Sequence, residues 1–313
     1  MPTLNELLHA ASRTFAVGID LLPAPLRGEV ETAYLLLRVS DYLEDNESME
    51  PARKAGLLEE WARVLDGSGS AEALSGRIGP ADEPTPDALV ARNMVQVVEA
   101  FRGLRPEAQA IVGRHVRDSS RGMARWALRG PDLADEADLD DYMHEVAGRV
   151  GWLLTELFAL DIPAVVGRRD EMMALGREFG LGLQTVNVIR GLHADWQRGW
   201  IYVPRSFGGE AQGVAANREG EALALLVAKA ERHLDHARSY IVALPRRYHG
   251  IRLFCLLPYL FAVRTLAISR GNAAVFSSEV KIERSEVSRI VGDARMWGWS
   301  NSWIERTARR LST

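Results

Sequence analysis

An acidic segment at residues 38–45 carries the side chains best suited to chemistry. It contains Asp41, Glu44 and Asp45 and follows an apolar run that ends at Leu37. In a helix, Asp41 and Asp45 would share a face, because residues four apart do. Carboxylates crowded on an apolar face repel one another and lose hydration, and a divalent cation removes that cost. Mg²⁺ prefers oxygen ligands and completes its shell with water and substrate phosphates. The segment therefore predicts a site for a diphosphate bound through Mg²⁺.

Arg38 lies one turn before Asp41 and could hold the same diphosphate. A guanidinium group binds phosphate oxygens through two parallel hydrogen bonds. The alternative is a solvated helix end with an Arg38–Asp41 ion pair, since acidic runs of this kind are common on surfaces. The apolar residues 33–37 favour a binding site, because they make the helix apolar around most of its circumference.

A second polar segment, Asn187–Asp195, has a similar design. Gln184 lies one turn before Asn187, and position 191, on the same stripe as Asn187 and Asp195, is glycine. Polar side chains amid leucine, valine and isoleucine are expensive to bury without a partner. The segment could therefore belong to the same site. The alternative is a structural polar network.

A third segment, Tyr142–Gly151, combines a tyrosine with small residues at positions 147, 148 and 151. The small residues would let a neighbouring helix, or a flat apolar ligand, approach closely. Tyr142 lies one turn from Val146 on the same face, and its hydroxyl could donate a hydrogen bond or carry a proton. The alternative is a core tyrosine whose hydroxyl has a partner.

The elements that must position these residues are helices. No run of alternating residues with hairpin turns predicts a sheet, and no repeat or biased linker divides the chain. The sequence therefore predicts one all-α domain of about ten helices. The apolar periodicity predicts helices over residues 4–18, 25–46, 51–66, 86–103, 105–128, 138–161, 167–196, 218–243, 249–271 and 283–311.

Composition excludes several classes of protein. The 313 residues are 47% hydrophobic and 26% charged, as in an ordinary globular protein, and the net charge of −4 with scattered basic residues argues against nucleic-acid binding. Cys255 is the sole cysteine, so no intrachain disulfide is possible. Apolar stretches are too interrupted for a membrane span, and no signal pattern begins the chain. We therefore expect a cytoplasmic protein, with peripheral membrane contact open because the inferred products are oils.

Taken together, these segments resemble the squalene/phytoene synthase family, whose members join two prenyl diphosphates head to head. The motifs L-R-x-x-D-x-x-E-D, Y-x-x-x-V-A-G-x-V-G, F-C-x-x-P and V-K-I are closer to the squalene-forming than to the phytoene-forming members. The resemblance spans nearly the whole chain through Ser12–Phe15, Tyr34–Asp45, Gly122–Ala124, Tyr142–Gly151, Gln184–Pro204, Phe254–Pro258 and Val280–Arg284.

The resemblance implies a single-domain terpenoid-synthase-like helical bundle over residues 1–313, with a central active-site cavity. It implies a Mg²⁺-dependent transferase that converts farnesyl diphosphate to presqualene diphosphate and then, with NADPH, to squalene. The implied metal ligands are Asp41, Glu44, Asp45, Asn187 and Asp195. The implied catalytic residues are Arg38, Asp41, Asp45, Tyr142 and Arg190. The implied substrate contacts are Ser12, Arg13, Tyr34, Val146, Gly148, Leu183 and Gln184. Lys281 and Arg284 would contact NADPH.

Gly191 departs from the family pattern N-x-x-x-D-x-x-x-D, which has a metal-binding aspartate at that position. Three explanations compete: Asn187 and Asp195 suffice with water, which we favour; His193 assists from another face; or the site is impaired. Other functions also stay open. Phytoene or dehydrosqualene synthesis is a second possible activity and would need no reductant. A non-catalytic helical scaffold related to the family is a possibility from a different class of protein. Prenyl chain length and oligomeric state are not set by the sequence, although a monomer is the simplest assembly.

Overall fold

The structure, a computed structural model, describes residues 2–78, 85–211, 213–215 and 217–313, with the side chain of Arg13 excepted. It is helical, apart from a short antiparallel pair of strands, β1 (Gly209–Glu210) and β2 (Gly213–Val214). The helices are α1 (Leu4–Ala11), α2 (Arg13–Ile19), α3 (Leu26–Asp45), α4 (Pro51–Leu65), α5 (Ala71–Ile78), α6 (Pro86–Arg92), α7 (Met94–Arg102), α8 (Pro106–Arg129), α9 (Glu136–Met143), α10 (Arg149–Asp161), α11 (Pro163–Val166), α12 (Arg169–Gln197), α13 (Glu219–Ala243), α14 (His249–Ser269), α15 (Arg284–Trp297) and α16 (Asn301–Leu311). A π-helical turn, His144–Gly148, joins α9 to α10, and 3-10 turns cover Arg205–Phe207 and Ala273–Phe276.

The Cα positions divide the chain into two compact units. Unit 1 comprises residues 1–130 and 152–166, and unit 2 comprises residues 131–151 and 167–313. Each unit has its own buried apolar residues. The single domain and the central cavity predicted from the sequence stay predictions.

In unit 1, helix α3 is the element that carries the first acidic segment. Its buried residues recur three and four positions apart, from Leu26 through Val30 and Ala33 to Leu36 and Leu43. This spacing places a continuous apolar stripe on one side of the helix. The stripe packs against α4, α6, α7 and α8, and α4 and α8 also pack along each other. Helix α3 is therefore anchored along its length up to the turn that carries the carboxylates.

In unit 2, the long helix α12 carries the second segment and packs along α13. The two helices can approach closely because α12 has a glycine at their contact. A Cβ at Gly182 would lie 3.2 Å from the backbone and Cβ of His233 on α13. Behind this pair, Lys229 on α13 is fully buried. Its ammonium group binds Asp140 and, at 3.4 Å, Glu136, while the two nitrogens of Lys229 and His233 lie 3.0 Å apart. A buried charge of this kind ties α13 to α9.

Helix α14 is the element most like a membrane span among those described. By length and composition it could cross a bilayer, yet 72% of its most apolar window is buried inside the protein. The completely buried Arg252 donates to the carbonyls of Ile241 and Leu244 and, at 2.7 Å, to Asn301 Oδ1. Helix α14 thus has the contacts of a core helix.

The predicted helices are present, but several are broken where a local cap competes with helix continuation. Ser12 accepts a hydrogen bond from the Phe15 amide, which ends α1 and begins α2. Asn93 separates α6 from α7, and Gly298 separates α15 from α16. The short helices α5 and α11 and the two-residue strands were not predicted, since segments this short carry little periodicity.

Candidate active site

The first acidic segment lies at the C-terminal end of α3, where carboxylates are electrostatically unfavourable. Asp41, Glu44 and Asp45 occupy the last turns, and the final turn, which the structure describes in full, contains no basic residue. A helix carries about half a negative charge at its C-terminus, so carboxylates there raise the local negative potential. Helix α3 thus gathers acidic oxygens where a cation would be most stabilising.

Asp41 shows the cost of this arrangement most clearly. Its carboxylate accepts a hydrogen bond from Arg38 Nη1 at 3.0 Å, and 29% of the side chain remains exposed. Burial nonetheless raises the pKa of Asp41 to about 7, and the charges of Asp45 and Asp87 oppose its ionisation further, while Arg38 offsets part of this. A carboxylate held this close to half-protonation at neutral pH would be stabilised strongly by a bound divalent ion.

Arg38 is fixed by aromatic and acidic neighbours within unit 1. Its Nε donates to the hydroxyl of Tyr34 at 2.9 Å, and the guanidinium lies 5.3 Å from the centre of the Tyr34 ring. Asp87, at the start of α6, lies 3.5 Å away as a second ion-pair partner. Burial raises the pKa of Tyr34, and a hydrogen bond from Ser12 acts on the same hydroxyl. The structure therefore brings Ser12, Tyr34, Arg38 and Asp41 together.

The side chain of Arg13, the other predicted phosphate contact here, lies outside the described residues. Asp87 was missed by sequence reasoning, because a single acid in the first turn of a helix usually acts only on that helix's dipole. Desolvation raises the pKa of Asp87 as well. The acidic oxygens here fit Mg²⁺, which takes one or two carboxylates and keeps several waters. Glu44 is buried, Asp41 and Asp87 are half-buried, and Asp45 is exposed.

Tyr142, on α9, is buried and paired with a second tyrosine. The hydroxyls of Tyr142 and Tyr202 lie 2.9 Å apart, and their rings stack with centroids 4.9 Å apart. The Trp200 ring also stacks with Tyr202, with centroids 5.9 Å apart. Tyr202 was not singled out by the sequence, because it lies sixty positions away in a loop. The pair can pass or share a proton, which a lone core tyrosine cannot.

The small residues after Tyr142 serve a helix contact. An added Cβ at Gly151 would lie 1.8 Å from the Gly176 carbonyl oxygen, and one at Gly148 would lie 2.9 Å from Leu181, both residues being on α12. Of the two partners that the sequence allowed, the structure therefore shows a neighbouring helix. Gly148 is buried in this contact, whereas Val146 in the π-helical turn is half-buried. Such turns often occur at functional sites.

The polar residues of the second segment follow one stripe of α12. Leu183 and Gln184 are half-buried, and exposed Asn187 donates to Gln184 Oε1 at 3.4 Å. Arg190 is exposed, with Glu279 at 3.6 Å as its ion-pair partner. The ring nitrogens of His193 are both engaged, with the Phe276 carbonyl at 3.2 Å and with Gln197 at 3.0 Å.

Asp195 already has a cationic partner. It is buried, and Arg198, one turn further on, donates a hydrogen bond to its carboxylate. Burial raises the pKa of Asp195, while Arg198 and, more weakly, Arg190 act in the opposite direction. A Cβ at Gly191 would lie 3.1 Å from Asp195 Oδ2, so this glycine borders the same carboxylate. One carboxylate bound by an arginine is a poor fit for Mg²⁺.

Comparisons with known proteins point to one family. A family model described as squalene/phytoene synthase matches residues 8–286. The squalene synthase of Eremothecium gossypii is 30% identical over 302 residues, which cover 93% of this chain and 67% of that protein. Human squalene synthase is 28% identical, with 94% and 69% covered.

The chain belongs to the squalene/phytoene synthase family. Solved structures give the same fold: TcSQS with a bound ligand has a TM-score of 0.80 at 24% identity, covering 98% of this chain and 90% of that one. The squalene synthase HpnC of Alicyclobacillus acidocaldarius has a TM-score of 0.58 at 22% identity, covering 85% and 91%. The all-α terpenoid-synthase-like fold and membership in a family of prenyl-condensing enzymes are thus confirmed. The chain spans about two thirds of the length of the curated relatives it matches.

One of the two predicted NADPH contacts, Lys281, lies near the second segment in the structure, although it is distant in sequence. Lys281 is exposed and forms an ion pair of 2.7 Å with Glu279, the residue that also pairs with Arg190. Arg284 is exposed at the first position of α15. Two exposed cations, Lys281 and Arg284, fit the phosphate groups of a dinucleotide. Each is also typical of a solvated helix start.

Proposed function

We propose that the chain condenses two farnesyl diphosphates head to head to presqualene diphosphate and then forms squalene, with Mg²⁺ as its metal. The proposal is supported by family membership and by the squalene synthases among its relatives. The observation that carries it is the group of carboxylates at the end of α3, where Glu44 is buried and burial raises the pKa of Asp41 to about 7. Such oxygens are expected where a metal–diphosphate complex supplies the missing positive charge.

In this proposal Asp41, Glu44 and Asp45 would hold Mg²⁺, which when bound withdraws charge from the departing diphosphate. Arg38 would hold phosphate oxygens, since Tyr34 and its acidic neighbours fix its guanidinium in one orientation. Ionisation leaves an allylic carbocation, which apolar walls must shield from water. The double bond of the second prenyl chain attacks this cation, and loss of a proton closes the cyclopropane ring. The Tyr142–Tyr202 pair would accept or relay that proton.

Other residues would contact the substrates and the reductant. Ser12, Arg13 and Arg190 would contact phosphate oxygens, and Val146, Leu183 and Gln184 would lie along the prenyl chains. Lys281 and Arg284 would bind phosphates of NADPH, which supplies the hydride that converts the rearranged cation to squalene.

A product assay tests the proposal. The protein is incubated with farnesyl diphosphate and Mg²⁺, with and without NADPH, and the products are identified by mass. We expect squalene with NADPH and presqualene diphosphate or a dehydro product without it. Phytoene from geranylgeranyl diphosphate, or the same hydrocarbon with and without NADPH, would assign the non-reductive activity instead. A protein that neither turns over nor binds a prenyl thiodiphosphate with Mg²⁺ would be a non-catalytic relative.

We also propose that the protein is cytoplasmic and contacts membranes peripherally, where its oily product can leave. The supporting feature is a group of exposed apolar residues, Met296 and Trp297 at the end of α15 and Trp299 in the turn before α16, close in sequence to the exposed Arg289 and Arg309. Tryptophan and arginine together favour the interface of anionic bilayers. Sedimentation with phosphatidylserine vesicles should fall in a Trp297→Ser/Trp299→Ser variant. Equal sedimentation of the variant and the parent would contradict this contact.

A further inference from the structure

The polar segment of residues 187–198 differs from a typical metal site, and the proposed function leaves open how this segment holds the substrate diphosphate. Resting on that function, we propose that residues 187–198 bind the substrate diphosphate directly through Arg198 and Arg190. Asp195 then acts as the counter-ion that positions Arg198 rather than as a metal ligand. The divalent metal is held through the carboxylates of α3.

The donor atoms of the segment argue against a metal. Asn187 contributes an exposed amide, Gly191 contributes no side-chain atom, and Asp195 contributes the single carboxylate. That carboxylate is hydrogen-bonded to Arg198, so a metal ion would have to displace a guanidinium from it. It would also lie in the field of Arg190, whose charge acts on Asp195 as well. Two cations beside one carboxylate repel a third.

The charge balance of the segment is basic rather than acidic. Three cations, Arg190, Arg198 and Lys281, pair with only two acids, Asp195 and Glu279. A basic group of this kind binds phosphate oxygens without a metal. The end of α3 has an acidic balance. Four acids, Asp41, Glu44, Asp45 and Asp87, outnumber Arg38 and Lys54, whose ammonium group donates to the Glu44 carbonyl oxygen at 2.6 Å, so a divalent cation would lower the remaining repulsion.

Local structure is built to present Arg198. The amides of Arg198 and Trp200 both donate to the carbonyl oxygen of Asp195, at 3.1 Å and 2.9 Å, which closes the turn after α12. Gly199 makes this turn possible, because its φ of +77° lies in the left-handed region that side chains disfavour. The Asp195 side chain is 12% exposed and that of Arg198 is 33% exposed. A buried acid thus holds an arginine whose outer face remains accessible.

Gly191 supplies a gain-of-function test. Its Cβ position lies 3.1 Å from Asp195 Oδ2 and 3.7 Å from Cγ. An aspartate there would place a second carboxylate beside the first, and removal of Arg198 would leave both without their cation. The double variant Gly191→Asp/Arg198→Gln should therefore create a divalent site that the natural chain lacks.

The experiment counts bound Mn²⁺ by electron paramagnetic resonance and measures pyrophosphate affinity by calorimetry. Arg198→Gln should weaken pyrophosphate binding about 10- to 100-fold, the loss of one charge-assisted contact, without changing the Mn²⁺ count. Asp195→Asn should also leave the count unchanged. The double variant should bind one Mn²⁺ more than the parent. Arg238→Gln is the matched control, because Arg238 and Asp235 form the same i,i+3 pair on α13 at 3.3 Å; it should change nothing.

The possible failures are distinguishable. If Asp195→Asn loses one Mn²⁺ while the parent and the Arg238 control keep it, Asp195 is a metal ligand and the inference is overturned. An unchanged pyrophosphate affinity in folded Arg198→Gln overturns it too. If Asp195→Asn does not fold, the Arg198→Gln and double variants still decide the question. If the parent binds neither Mn²⁺ nor pyrophosphate, the proposed function fails instead.

Discussion

Replacing Asp41 by asparagine should stabilise the metal-free protein at alkaline pH, although it removes a residue that we place at the centre of catalysis. The reason is that ionised Asp41 is held where burial and two nearby acids oppose its charge. Asparagine has nearly the same shape and keeps an oxygen that can accept the hydrogen bond from Arg38 Nη1. It removes the charge and leaves the contact.

The magnitude follows from the pKa. Its rise from the ordinary value of 3.8 to about 7 corresponds to an upper limit of roughly 4 kcal/mol, at about 1.4 kcal/mol per pKa unit. Because 29% of the side chain is exposed, solvent screening reduces this, and we expect about 1.5–3 kcal/mol. Since the folded pKa is raised, protonation of Asp41 stabilises the fold fully below pH 3.8, and this stabilisation is lost as the pH rises through about 7.

Urea unfolding in EDTA, at pH 8 and at pH 5, measures the effect. Asp41→Asn should exceed the parent in unfolding free energy at pH 8, and the difference should shrink markedly at pH 5, where the parent's Asp41 is already protonated. Asp66→Asn is a control within unit 1: hydrogen bonds from Ser68 lower the pKa of Asp66, so its removal should bring no gain at pH 8. A variant less stable than the parent at pH 8, or a gain equal at both pH values, would refute the reasoning.

Three further predictions test the site and its scaffold. Gly151→Ala should lower the free energy of unfolding in urea by more than about 3 kcal/mol, because its methyl group would overlap a carbonyl of α12. Gly56→Ala, whose Cβ meets no described atom within 4 Å, should raise it by up to about 1 kcal/mol. Lys229→Met should cost about 1–3 kcal/mol at pH 7 in the same assay, since Asp140, whose side chain is 30% exposed, loses its ammonium partner, whereas Glu136 keeps Arg232. Tyr202→Phe should slow turnover by about tenfold or more with the melting temperature nearly unchanged, if the hydroxyl it shares with Tyr142 relays a proton.

The sequence predicted the helices well because their apolar periodicity is a property of each segment alone. It predicted the acidic end of α3 for the same reason, since Asp41 and Asp45 are four positions apart. It could not predict Asp87 or Tyr202, whose roles depend on contacts between residues about fifty to sixty positions apart. The interruption at Ser12 was also missed, because a single capping side chain outweighs weak helix propensity there.

The role of Arg198 was missed for a different reason. A comparison of the C-terminal ends of α12 and α3 explains the chemistry of both segments. Each of two helices, α3 and α12, ends with carboxylates at a terminus where its own dipole is negative. At α12, the chain supplies the compensating cation itself, through Arg198 at the cap position. At α3, the last turn contains no basic residue among those described. Lys54 of α4 meets part of the cost at α3 by donating to the Glu44 carbonyl oxygen, but the acids there still outnumber Arg38 and Lys54, and we propose that a metal ion supplies the remaining positive charge. A pattern of acids alone could not distinguish these cases, because the distinction lies in the residue that follows the acid.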